Sequence, residues 1–181
     1  MIGITKLNLG CGHEYLQGYV NIDLNRKVKA DKYLDVTKRM PFATNSVEEI
    51  RAHHLIEDFG ELEPVLREWY RILKPGGLLR VWVPYAFSNH AFVNPGHKHY
   101  FVWNTLLYFT DRIRPNYFYS FQFKLKKREF QMLGRYKGIL GPLAGLATAV
   151  PEFYERFLKG FFSVDVIYYE LEKPKGKREG K

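Results

Sequence analysis

Two short stretches near the start of the chain carry its clearest chemistry. Lys6-Leu7-Asn8-Leu9-Gly10-Cys11-Gly12 ends an apolar alternation in two glycines, and Asn21-Ile22-Asp23-Leu24 ends a second apolar run in a carboxylate. Backbone without side chains lets N–H groups approach a ligand closely. An acid at the tip of the neighbouring strand can accept hydrogen bonds from both hydroxyls of a ribose. The pair reads as a nucleoside pocket at the carboxyl ends of adjacent strands. A dinucleotide fingerprint needs a third glycine opening a full helix, with its acid about 20 residues further on. Here Tyr15 takes the third glycine's place and Gly10 to Asp23 spans 13 positions. His13 to Gly18 is too short for an ordinary crossover helix, so a compact mononucleoside ligand fits better than a dinucleotide.

The second source of chemistry is histidine. His13, His53, His54, His90, His97 and His99 gather mainly after the first, fourth and fifth expected strands, the edge where such a pocket opens. Imidazole suits proton removal near neutrality. In Asn94-Pro95-Gly96-His97-Lys98-His99-Tyr100-Phe101, the two histidines share a side if the chain is extended. They lack a third metal-ligating partner, so no metal is expected. Glu57 and Asp58 are secondary candidates. Tyr85, Phe87, Phe92, Tyr100, Phe101 and Trp103 crowd the same edge, as core or as a stacking surface for a planar molecule.

Parallel strands must hold these groups. The apolar patterns predict strands over 6–9, 19–23, 32–35, 47–53 and 78–83, with a helix over 61–73 from Leu62, Val65, Leu66, Trp69 and Leu73. Lys74-Pro75-Gly76-Gly77 is expected to stop that helix and turn the chain. A helix over 104–110, a half-buried strand over 117–130 and a last strand over 164–171 complete the pattern. It is an α/β fold, a doubly wound Rossmann-like sheet that is mostly parallel.

The chain's 181 residues suit one domain over 1–172, followed by a basic tail over 173–181 expected to be disordered. Residues 138–151 form an apolar, uncharged insertion, read as core packing, as a cover for the substrate site or as an interfacial membrane contact. No apolar run reaches 18 residues, and neither a membrane span nor a signal peptide is expected. A single cysteine, Cys11, excludes an internal disulfide and suits a reducing cytoplasm. Net charge is +9 and uneven: residues 1–111 carry 13 Lys/Arg against 12 Asp/Glu, residues 112–181 carry 15 against 7. The basic half suits an anionic partner, whether nucleic acid, phospholipid or acidic substrate.

The runs LNLGCG…GYVNIDL, DVTKRMPFATNSVEEIRAHHLIEDF and LREWYRILKPGGLLRVWVP, in this order over residues 5 to 103, resemble the class I S-adenosylmethionine (SAM)-dependent methyltransferases. The closest likeness is to a small branch of that family with a shortened first helix. The resemblance implies SAM as cofactor, with Gly10, Cys11, Gly12, Asp23, Leu24, Asp35, Val36 and His53 around it, Asp35 beside the adenine. Asp31 competes for Asp35's place. It further implies an antiparallel C-terminal strand pair at one sheet edge. His54, His97 and His99 are then the candidates for the acceptor side, where a base is needed only if the acceptor is a hydroxyl or a protonated amine. The branch's links to glycan modification favour a small metabolite, sugar or lipid-linked sugar as acceptor; RNA remains open. The competing readings are a non-catalytic SAM-binding protein supporting a partner and a nicotinamide-dependent enzyme. Oligomeric state is not legible.

Overall fold

A computed structural model describes residues 5–113, 119–134 and 137–175. Its strands are β1 (Lys6–Leu9), β2 (Val20–Asp23), β3 (Lys32–Tyr33), β4 (Val47–His53), β5 (Leu73–Pro84), β6 (Lys124–Gln131) and β7 (Val166–Glu172). They form one seven-stranded sheet in the order β3-β2-β1-β4-β5-β7-β6. β1 to β5 run parallel, and β7 is antiparallel to both β5 and β6. This is the Rossmann-like α/β architecture with an antiparallel pair at one edge.

Helix α1 (Leu62–Ile72) is two residues shorter than its periodicity predicts. It buries Val65, Leu66, Trp69 and Ile72, each worth about 1.5–3 kcal/mol of transfer free energy. Lys74-Pro75-Gly76-Gly77 does not separate helix from strand. β5 starts at Leu73, and these residues form a bulge between the pairs Val47↔Leu73 and Glu49↔Leu78. Gly76, at φ +83°, is the residue that bends there. The expected 104–110 helix is a 3-10 turn over Thr105–Phe109. The strand expected over 117–130 begins only at Lys124, and its residues 117–118 lie outside the described ones.

The strand register sorts the side chains onto two faces. Leu7, Leu9, Ile22, Ile50, Ala52, Leu79, Val81, Val83, Ile167, Tyr169 and Leu171 share one face and a single cluster with α1. Helix α3 (Lys137–Ala149) adds Ala144 and Ala147 to that cluster and packs against β6, so the apolar insertion is a core-capping helix on its inner side. The other face carries Asn8, Asn21, Glu49, Arg51, Arg80, Trp82, Tyr168 and Glu170, none of which joins the cluster.

Topology explains the asymmetry. β1→β2→β3 steps one way across the sheet and β4→β5 the other, so right-handed crossovers place these connections on opposite faces. The first two contain no helix. The winding is double, but only one layer of helices was built. The 10–19 loop covers part of the second face: Glu14 pairs with Arg51 at 3.0 Å, and the Tyr19 hydroxyl donates to Glu49.

Lys173, assigned to the tail from the sequence, packs on the fold. Lys173 is buried, its Nζ donating to Asn45 Oδ1 (2.8 Å) and to the Tyr70 carbonyl (2.7 Å). Residues 176–181 lie outside the described ones.

Candidate active site

The turn leaving β1 is built as its glycines require. Gly10 and Gly12 have φ of +61° and +50°, in the left-handed region that side chains disfavour. A Cβ on Gly10 would stand 2.5 Å from Leu55 Cδ1 and push that side chain out of place. Gly12 donates its N–H to Asp23 Oδ2 and Asn25 donates to Oδ1, each at 2.8 Å. Two backbone donors thus fix the Asp23 carboxylate while leaving each oxygen a further lone pair.

Gly10 and Asp23 open onto a cavity of about 460 Å³, within the size range of small-molecule sites. Asp23, Asp35 and Asp58 supply its acids, and Leu24, Leu34, Val36, Leu55 and Phe59 its apolar walls. Lys98 enters from the 94–101 loop, which is docked by the N–H groups of Lys98 and His99 on the Glu57 carbonyl at 2.7 and 3.1 Å. Asp35 Oδ1 accepts from the Thr37 N–H (2.9 Å) and hydroxyl (2.6 Å), bonds that hold its carboxyl below the usual range.

Asp31, the competing acid, is structural. It accepts from the Asn21 N–H at 2.7 Å and the Tyr15 hydroxyl at 2.7 Å, and those bonds lower its pKa. Buried Asn21 also receives the Leu16 N–H at 2.9 Å and the Asn8 side chain at 3.0 Å. This network stands where a helix would otherwise pack, and it fixes the strand that ends in Asp23.

Two expected cofactor contacts change and a third holds. Cys11 is buried with Sγ toward the Lys29 carbonyl at 3.6 Å, so only its backbone belongs to the turn; burial, then Asp23, raises its pKa. His53 alternates onto the polar sheet face, with Nδ1 3.3 Å from Glu14 Oε2 and its ring against Trp82, and does not line the cavity. Burial first, then His54 and Arg51, bring its pKa down to about 4, so it is neutral at pH 7. Leu24 does line the cavity, with its side chain largely exposed.

The acceptor-side histidines do not converge. The His97 ring is almost buried, Nδ1 donating to the Ala91 carbonyl at 2.9 Å and Nε2 lying 4.0 Å from Asp58 Oδ1. His99 points Nε2 at the Gly60 carbonyl (3.2 Å) and lines a second cavity of about 510 Å³ with Thr105 and Tyr108. The pair is split: His97 turns to Ala91 and Asp58, and His99 to Gly60. His54 ends β4 in the left-handed region, at φ +50°, with Nδ1 3.3 Å from Glu57 Oε1. Glu57 is 1% exposed, and its Oε2 has no hydrogen-bond partner. A carboxylate so placed fixes one imidazole tautomer and leaves Nε2 to accept a proton.

Leu55, Phe59, Gly60, Thr37, Leu34 and Lys98 escaped the sequence reading. The rule that ligands bind beyond the carboxyl ends of parallel strands would have found the loop after β4, once β4 was placed. Lys98 carried no local signal.

Residues 7–81 match the model of a methyltransferase domain family. Among solved structures, a SAM-dependent methyltransferase from Archaeoglobus fulgidus superposes at TM-score 0.63 and 14% identity, covering 94% of this chain and 86% of that one. Phosphoethanolamine N-methyltransferase 2 of Haemonchus contortus, in complex with SAM, superposes at 0.51 and 16%, covering 95% and 49%. The cyclase SpnF superposes at 0.60 and 17%, covering 96% and 76%. No curated protein matches in sequence. Residues 7–81 are thus similar to a methyltransferase domain, and the solved structures share the fold over nearly the whole chain.

The residues present fit SAM: Gly10 holds a turn in which a Cβ would collide with Leu55, a wall of the cavity, Gly12 leaves its backbone uncovered, and Asp23 keeps acceptor capacity for a ribose.

Proposed function

We propose that this chain is a cytoplasmic methyltransferase that carries the methyl group of S-adenosylmethionine (SAM) to an oxygen or nitrogen of a small metabolite, sugar or lipid-linked sugar. The observation that carries the reading is the Asp23 carboxylate, oriented by Gly12 and Asn25 at the mouth of the 460 Å³ cavity. Bound SAM supplies an electrophilic methyl group for in-line displacement, which asks mainly for alignment. Asp23 takes the ribose hydroxyls, and Gly10, Cys11 and Gly12 present backbone. Val36, Leu34 and Phe59 give an apolar wall for the base, with Asp35 Oδ2 as acceptor for an amino group. On the acceptor side His54 is the base: Glu57 holds Nδ1–H while Nε2 receives the acceptor proton. His97 and His99 shape the loop around it.

Titration of SAM by calorimetry tests the cofactor half. Asp23→Ala is expected to weaken binding by about 1–3 kcal/mol, the worth of charge-assisted hydrogen bonds in a partly buried site; unchanged affinity removes Asp23 from the pocket. Labelled SAM offered with sugar, lipid-linked sugar, small-metabolite and RNA fractions tests the other half. His54→Gln should lower kcat about 10²–10⁴-fold and leave SAM affinity intact. Label transferred to RNA alone would replace the small-acceptor reading. Binding without transfer to any fraction would favour a SAM-binding protein that supports a partner.

A further inference from the structure

The sheet edge that carries the glycine turn also carries an unusual display of bare aromatic rings. Phe87, just after β5, is 47% exposed, and Phe161, before β7, is 86% exposed. Close by in the chain before Phe161, and joined to Phe87 through Lys159, is the helical segment made of α4 (Pro151–Phe153) and the π-helical turn Tyr154–Leu158. It presents Phe153 at 53% and Phe157 at 55% exposure, with ring centroids 5.1 Å apart. Tyr154 from the same segment is fully buried against Tyr85 and Phe130, so one side is anchored in the core and the other turned to water.

Cations are interleaved with these rings. Lys159 Nζ lies 3.7 Å from the Phe87 ring centroid, and the Arg156 guanidinium 5.6 Å from that of Phe157. The neighbouring acid Glu155 is withdrawn, accepting the Trp103 N–H at 2.8 Å, which leaves Glu152 as the exposed acid of the segment. On the preceding helix α3, Ile139 and Leu146 are 76% and 50% exposed.

We propose that this edge docks on an anionic lipid bilayer, with Phe153, Phe157 and Phe161 entering the headgroup region and Arg156 and Lys159 held at the phosphates. Aromatic and aliphatic tips beside basic side chains are the signature of a segment lying in the membrane interface. A protein partner of matching shape would bury the rings but gives no reason for the cations among them. The charge balance agrees, since residues 112–181 carry 15 basic against 7 acidic side chains. α3 has 13 residues and cannot span a bilayer, so the contact is peripheral. Docking sets the glycine turn and Asp23 at the membrane side of the molecule, because Phe87 and Phe161 sit at the same ends of the strands. The proposal is independent of the methyl acceptor.

Co-sedimentation of the full chain with vesicles tests it. Phosphatidylcholine vesicles containing phosphatidylglycerol should retain the protein at least about tenfold better than phosphatidylcholine alone, and added salt should release it. Phe157→Ser with Phe161→Ser should reduce retention by about tenfold or more, and Lys159→Gln by a smaller factor of about five. SAM titration on each variant reports folding separately, because these side chains lie outside the cofactor cavity. Absence of retention on the anionic vesicles, or full retention by the double variant, overturns the proposal. So does a wild-type dimer in sedimentation velocity that the double variant abolishes, since a second copy would then cover the patch.

Discussion

On one face of the sheet, Leu7, Ile50, Leu79 and Val81 meet the helix bearing Trp69. On the other, Asn8, Asn21, Arg51, Arg80 and Trp82 meet one another and a single loop. The first face is held by apolar area removed from water, the second by hydrogen bonds and stacked rings: Trp82 lies 4.6 Å from Tyr168, with Arg51 5.0 Å above it. The difference shows what a Rossmann-like sheet must do once the helices of its first two crossovers shrink to loops. Strand residues that would have packed a helix become a polar layer that pairs mainly within itself, with Arg80 held by ion pairs to Glu49 and Glu170.

That contrast can be broken at its strong side first. Trp69→Ala, emptying the helix-covered face, should cost about 3–5 kcal/mol in urea unfolding. A loss near 1 kcal/mol would mean that this face is not the main core. On the polar face, Asn21→Leu removes the partners of Leu16, Asn8 and Asp31 while keeping the volume. It should cost about 1–3 kcal/mol, the penalty of buried groups left unsatisfied. SAM affinity should fall with it because Asn21 precedes Asp23 in β2; a stabilised variant would show the network to be dispensable.

The mildest expected effect sharpens the comparison through pH. The His53 pKa is depressed from 6.5 to about 4 by burial and by His54 and Arg51. Between those values the unfolded chain binds more protons at this site than the folded one, so stability falls as pH drops through that window and is flat in this contribution above it. His53→Gln should flatten the slope of unfolding free energy over the same range. An unchanged slope would place His53 in water.

Much of this was legible in the residues. β1 and β4 were readable to the residue because their apolar alternation ends in unambiguous turn chemistry, and Gly10, Gly12 and Asp23 stand where that chemistry demands. β5 was misjudged at its start because a proline and two glycines signal a turn equally well when they form a bulge inside a strand. His53 closes β4 on the polar face, while His54 leaves the strand at φ +50° with its ring still 4.6 Å from that of His53, a placement that sequence gives only once the strand's end is fixed. Asp31 could be separated from Asp35 only by seeing Tyr15 and Asn21 converge on it. The single-layered covering was implicit in the short 10–19 and 24–31 connections, but strand order was needed to learn that both cross the same face.

The place of β7 between β5 and β6 has a consequence for synthesis. It is made after both β5 and β6, yet it joins them. Until it emerges from the ribosome, β5 offers one unpaired edge and β6 two, and both can recruit foreign strands. The growing polypeptide therefore carries these open edges until β7 is made, and the pairing of β7 with both neighbours closes one edge of each at once.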